Sequence, residues 1–116
     1  MSASTRGSGV ESRLLDLLEY RDVHGAVVTT ADGLLVANAA TNVADAEQLA
    51  ATTVAMTPED ENNPGYWEVE SEHGAIRVIS GNDLRLIVLT EPNRNAEQIR
   101  PTLVDHLLDI EHMIRV

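Results

Sequence analysis

The sequence has no cysteine, no lysine and no phenylalanine. Without cysteine there is no disulfide framework, no thiol nucleophile and no cysteine-held zinc, as suits a cytoplasmic chain. All 8 basic residues are arginine, against 19 acidic ones, and the formal net charge is -11. No basic patch is visible for phosphate, so nucleic acid is not an expected partner. Anionic membranes are disfavoured on the same ground. An acidic surface favours solubility and partners with basic patches, although genome composition or a salty cytoplasm explains the acidity as well. Trp67, Tyr20 and Tyr66 are the only aromatic residues, so the core must be aliphatic. No apolar run approaches the roughly 20 residues of a membrane-spanning helix. The polar opening MSASTRGSG has no apolar h-region, so no secretory signal is expected. A soluble, cytoplasmic domain is the expectation.

What is present suits one domain. At 116 residues the chain can fill a single core, with residues 1–8 a polar, disordered leader and residues 9–116 the domain. Residues 9–20 form a helix with the apolar stripe Val10, Leu14, Leu17 and Leu18. Residues 23–30 and 34–37 are apolar strands, and Asp32-Gly33 between them suits a primed hairpin turn. They alternate poorly, so both faces of their sheet are covered. Asn42 or Asp45 starts a second helix, with Ala46, Leu49, Ala50 and Thr53 on one side, and Pro58 ends it. Residues 58–65, PEDENNPG, are loop.

Strands at 66–71, 75–80 and 84–90 form an antiparallel meander. A two-residue turn at His73-Gly74 sets Glu70 opposite Arg77, and a three-residue turn at 81–83 sets Val78 opposite Leu86. One face then collects Trp67, Val69, Ile76, Val78, Leu84, Leu86 and Val88. The other holds Glu68, Glu70, Arg77, Arg85, Ile79, Ile87 and Leu89, with opposite charges pairing across strands. The last helix covers 95–114, with Asn95 and Gln98 as a capping box and a kink or restart at Pro101. The result is an α+β fold of order αββαβββα. One five-stranded antiparallel sheet carries the middle helix on one face and the terminal helices on the other.

The stretch 23–51, VHGAVVTTADGLLVANAATNVADAEQLAA, carries a family likeness. Gly25, Ala26, Asp32, Gly33, Leu34 and Ala37, then Asp45, Ala46, Glu47, Leu49, Ala50 and Ala51, resemble the Roadblock family. These are the dynein light-chain relatives that bacteria and archaea also carry. The close match spans about a quarter of the chain, and the order of elements agrees with the family's. The resemblance implies edge-to-edge dimers with the two middle helices side by side. It also implies partnership with small Ras-like GTPases, as activating protein or scaffold, and it brings no catalytic residue.

No catalytic, cofactor or metal site is read from the chain. Asp105, Asp109 and His112 share a helical face at ligand-like spacing, but an outward charged face explains them. Glu59, Asp60 and Glu61 lack the spaced pattern of a calcium loop. His24 reads as a buried or edge histidine, His73 lies in a turn and His106 flanks the apolar stripe. None has a defensible Ser or Asp partner. There is no G-x-S-x-G, G-K-[ST] or G-x-G-x-x-G run. An arginine finger is not assigned, because Arg77 and Arg85 have a structural explanation on the sheet. A non-enzyme without cofactor is expected.

Binding has better physical support. The strand from Tyr66 follows the crossover helix and should be a sheet edge, a pairing liability unless something covers it. A second copy covers it most cheaply, although Glu68 and Glu70 equally read as a defence against pairing. The expected dimer interface is Tyr66, Trp67 and Val69, with Ala46, Ala50 and Thr53 of the small-residue helix. If the family's use of its paired middle helices carries over, Glu47, Gln48, Ala51 and Ala55 meet the partner. The expected function is a non-catalytic homodimeric regulator or scaffold, a candidate GTPase-activating partner of a small Ras-like GTPase. Two alternatives stay open: a profilin-like or PAS-like small-molecule sensor built round an apolar cavity, and a plain structural adaptor without a GTPase.

Overall fold

The first hairpin turns on Gly33, whose φ of 92° is a conformation that side-chain-bearing residues resist. Gly33 donates its N–H to the Thr30 carbonyl at 3.0 Å, and Thr30 donates to the Leu34 carbonyl at 2.9 Å. That is a three-residue loop with glycine in the left-handed position, in place of the expected two-residue primed turn. The reason is local: only Gly33, and not Asp32, takes positive φ.

The structure is a computed structural model and describes residues 6–20, 22–56, 65–71, 74–81, 83–92 and 96–115. In chain order the elements are α1 (Arg6–Leu18), β1 (Val23–Thr30), β2 (Leu35–Ala39) and α2 (Val43–Met56). They continue with β3 (Tyr66–Ser71), β4 (Gly74–Ser80), β5 (Leu84–Thr90) and α3 (Ala96–Arg115). The strands make one antiparallel sheet of order β2-β1-β5-β4-β3. The expected fold class therefore holds: α1 and α3 pack on one face and α2 on the other.

Two boundaries differ from expectation. α1 begins at Arg6, so the helix enters the stretch that composition marked as leader. α3 runs unbroken through Pro101, so the helix does not restart there. The proposed cap at Asn95 and the carboxylates Glu59, Asp60 and Glu61 lie outside the described residues.

The meander's register also differs. β3 and β4 pair Glu68 with Arg77 and Val69 with Ile76, two residues from the expected alignment, which leaves every side chain on its expected face. Between β4 and β5 the shift is one residue: Ile79 pairs with Leu86 and Ser80 with Arg85. Gly81 donates to the Leu84 carbonyl at 2.8 Å, closing a tighter connection between β4 and β5. A one-residue slip turns a whole strand over. Leu84, Leu86 and Val88 therefore join Tyr66 and Ile79 beneath α1 and α3. Arg85, Ile87 and Leu89 move to the α2 face, with Trp67, Ile76 and Val78.

The α1/α3 face holds the larger core. Val10, Leu14 and Leu17 of α1 and Ile99, Leu103, Leu107 and Ile110 of α3 close over Val28, Leu86 and Val88, all but excluded from solvent. Glu111, 5% exposed, ties this layer to the β4–β5 turn by accepting the N–H groups of Asp83 at 2.9 Å and Leu84 at 3.3 Å.

Candidate functional site

α2 starts at Asn42, whose side chain is its N-cap: Asn42 Oδ1 accepts the Asp45 N–H at 2.8 Å. Asn42 Nδ2 returns a bond to the Asp45 carboxylate at 2.9 Å. An acceptor at the cap and a carboxylate in the first turn match the orphan N–H groups and positive end of a helix. Ala46, Ala50 and Thr53, spaced at i, i+4 and i+7, are 0%, 0% and 1% exposed. Their small size lets α2 lie close on the sheet, chiefly over β1 and β2. Within the chain these three residues, expected at an interface, are buried against the sheet. Glu47, Gln48, Ala51 and Ala55 lie on the exposed side, beside a shallow groove of about 290 Å³ lined by Asp45, Gln48, Leu49 and Thr52.

β3 is at the sheet's edge, as expected. Its alternate residues part company. Tyr66 is buried on the α1/α3 side with Arg100 over its ring, 5.3 Å from the centroid. Its hydroxyl has no well-formed hydrogen bond. Burial raises its pKa despite the nearby Arg77 guanidinium. Trp67 and Val69 point to the α2 side; Val69 is 41% exposed, and the half-buried Trp67 packs against the cluster that includes Ala46 of α2.

Arg77 and Arg85 have opposite fates. Arg77 is wholly buried, yet its guanidinium bonds Glu68, Glu70 at 3.0 Å and Thr90 Oγ1 at 3.0 Å. Burial opposes its charge, but Tyr66 and the two carboxylates hold its pKa above the ordinary arginine value. The expected cross-strand charge pairing holds for this residue. It fails for Arg85, which sits between Thr29 and Ser80 on the opposite face. The Arg85 Nε and Nη1 atoms are buried without a hydrogen-bond partner, as is the Trp67 Nε1. Desolvation lowers the Arg85 pKa, but a guanidinium remains charged. Each buried unpaired donor costs about 1–3 kcal/mol, and more when charged.

The other candidates stay apart. His24 is exposed and pairs with Glu91 at 2.8 Å, a partner the sequence reading missed because it lies 67 residues away. His106 Nδ1 donates to the Thr102 carbonyl at 2.9 Å. It lines an open groove of about 260 Å³ with Asp16, Glu19 and Tyr20. Asp105, Asp109 and His112 are exposed, and Asp109 lies 3.9 Å from Arg13. Among the described residues no three His, Asp or Glu side chains are grouped to hold a metal. No helix among them is long and apolar enough to cross a membrane. His73 lies outside the described residues.

By sequence, the chain matches no family profile and no curated protein. Solved structures match it over nearly its whole length. A Roadblock/LC7 domain from Streptomyces avermitilis is similar with a TM-score of 0.78 at 16% identity, over 90% of this chain and 97% of that one. The fold is that of the Roadblock/LC7 domains. MglB from Myxococcus xanthus is similar with a TM-score of 0.72 at 15% identity, over 97% of this chain and 96% of that one. MglB in a tetrameric arrangement is similar with a TM-score of 0.79 at 10% identity, over 97% and 93%. At these identities the likeness concerns the Roadblock fold, and it agrees with the resemblance read from residues 23–51.

Proposed function

We propose that this protein is a non-catalytic Roadblock-type regulator or scaffold that works as a homodimer and engages a small Ras-like GTPase. The observation that carries the reading is the edge strand β3, which presents Trp67 and Val69 on a sheet face that α2 covers chiefly over β1 and β2. Apolar surface beside unpaired strand N–H and C=O groups is the geometry of β-augmentation. A twofold partner satisfies both at once. In this reading Trp67 and Val69 form the interface, and the exposed side of α2, including Glu47, Gln48, Ala51 and Ala55, meets the GTPase. Likeness to MglB, one of whose structures has a tetrameric arrangement, supports self-association. The Roadblock resemblance supports the GTPase.

The test is solution mass by light scattering at low and high salt, for wild type and Trp67→Glu. The expected result is a mass near twice 12.6 kDa for wild type, and a monomer of native dichroism for the variant. A wild-type monomer, or a variant that stays dimeric, overturns the edge-paired dimer. For the partner, the dimer is screened against small GTPases loaded with GTP or GDP. Binding and unchanged or accelerated hydrolysis separate scaffold from activating protein, and no binding leaves the adaptor reading.

A further inference from the structure

The described arginine side chains divide sharply. Arg13 lies near Asp16 and Asp109, Arg77 holds two carboxylates, and Arg100 lies over the Tyr66 ring. Arg85 alone among them has buried guanidinium nitrogens and no partner. The Trp67 indole on the same face is orphaned in the same way. Both groups are donors only; neither can accept a hydrogen bond. Their complement must therefore bring acceptors, and for a guanidinium a carboxylate fits in charge and in planar geometry.

Among the described residues the surroundings do not provide one. Across the strands Arg85 meets Thr29 and Ser80, and the Thr29 hydroxyl is already turned to the Thr30 carbonyl. Glu68 and Glu70, the carboxylates of the neighbouring edge strand, point to the other face and are held by Arg77. α2 packs chiefly over β1 and β2 and reaches Val78 and Ile87 through Ala46; beyond that cluster, Val69 on β3 stays exposed.

We propose that the second copy in the dimer completes this face, a carboxylate of each copy pairing with the Arg85 guanidinium of the other. The inference rests on the dimer proposed above and names the polar contact that specifies it. Charge complementarity selects a second copy as the occupant. With 19 acidic residues to 8 basic ones, it is rich in the required group, and Asp45 stands exposed at the start of α2. Twofold symmetry makes the contact reciprocal, so each dimer contains two such pairs. Each pair offsets part of the repulsion between two chains of net charge -11.

The experiment measures the dimer dissociation constant by sedimentation velocity at low and high salt. Dilution is followed in parallel by the fluorescence of Trp67, the single tryptophan. Wild type, Arg85→Met, Arg85→Lys and the control Arg100→Met are compared. Arg85→Met removes an unpaired buried charge from the monomer, so its monomer is expected to fold as well as wild type. The expected result is a dissociation constant weakened by about tenfold or more in Arg85→Met, with a flatter salt dependence. Arg100→Met should behave as wild type. Arg85→Lys should weaken the dimer while keeping its salt dependence, and it is read alone should Arg85→Met not fold. An Arg85 variant that dimerises as tightly as wild type, with the same salt dependence, overturns the inference and leaves the dimer standing. A wild-type chain that is monomeric at every concentration overturns both.

Discussion

The two faces of the sheet are built to different standards. Beneath α1 and α3, seven aliphatic side chains of the helices interlock with strand residues that are almost fully buried. The buried cation there among the described residues, Arg77, is met by two carboxylates and a hydroxyl. Beneath α2 the fully buried cluster is Val27, Ala46, Val78 and Ile87. Arg85 and Trp67 keep unpaired donors on that side, and Val69 keeps exposed surface. Interiors are close-packed and their polar groups satisfied. Among the described residues, one buried side-chain donor on the α1/α3 face, the Tyr66 hydroxyl, lacks a partner; on the α2 face Arg85 and Trp67 leave three, and that face also carries the exposed Val69 at the sheet's edge.

The contrast predicts unequal costs of truncation. Leu103→Ala, under α3, should destabilise by about 2–5 kcal/mol, because the packed surroundings cannot collapse into the cavity. Leu49→Ala, at the half-buried margin of α2, should cost clearly less. Urea denaturation of both variants checks this, and equal losses would erase the distinction between the faces. Gly81→Ala comes next. A Cβ there would lie 2.6 Å from Glu111 Oε1, forcing away the buried carboxylate that caps the Leu84 N–H. An expected loss of about 1–3 kcal/mol would show that the closed face also locks the β4–β5 turn. The smallest effect lies on the open side. Ala40, between β2 and α2, has a φ of 61°, which an alanine adopts at a cost of roughly 1–2 kcal/mol. Ala40→Gly should raise stability by up to about 1 kcal/mol, seen as a higher urea midpoint at unchanged slope.

Much of this was legible in the chain. Strand positions, the α2 cap at Asn42, the stripe of α1 and the edge position of β3 all follow from local patterns. The division of α2 into a buried and an exposed side was legible too. Ala46, Ala50 and Thr53, expected at an interface, are buried within the chain, where their small size serves close packing on the sheet. Two further features were hidden. The run Gly81, Asn82, Asp83 accommodates a two- or a three-residue turn equally well, so composition alone leaves the parity of β5 open. Glu111, which holds that turn, lies on a helix 27 residues beyond Leu84 and looks in sequence like any other solvated carboxylate.

The sequence by itself determined the order of elements, the aliphatic character of the core and the Roadblock-like hairpin and helix, because these depend on periodicity and turn chemistry within a few residues. Only the tertiary structure decided which arginine is paired. Arg77 stands opposite Glu68, while a one-residue difference in the β4–β5 turn carries Arg85 to the other side of the sheet. Side chains alternate across a strand, so a single step of register decides which face receives a charge.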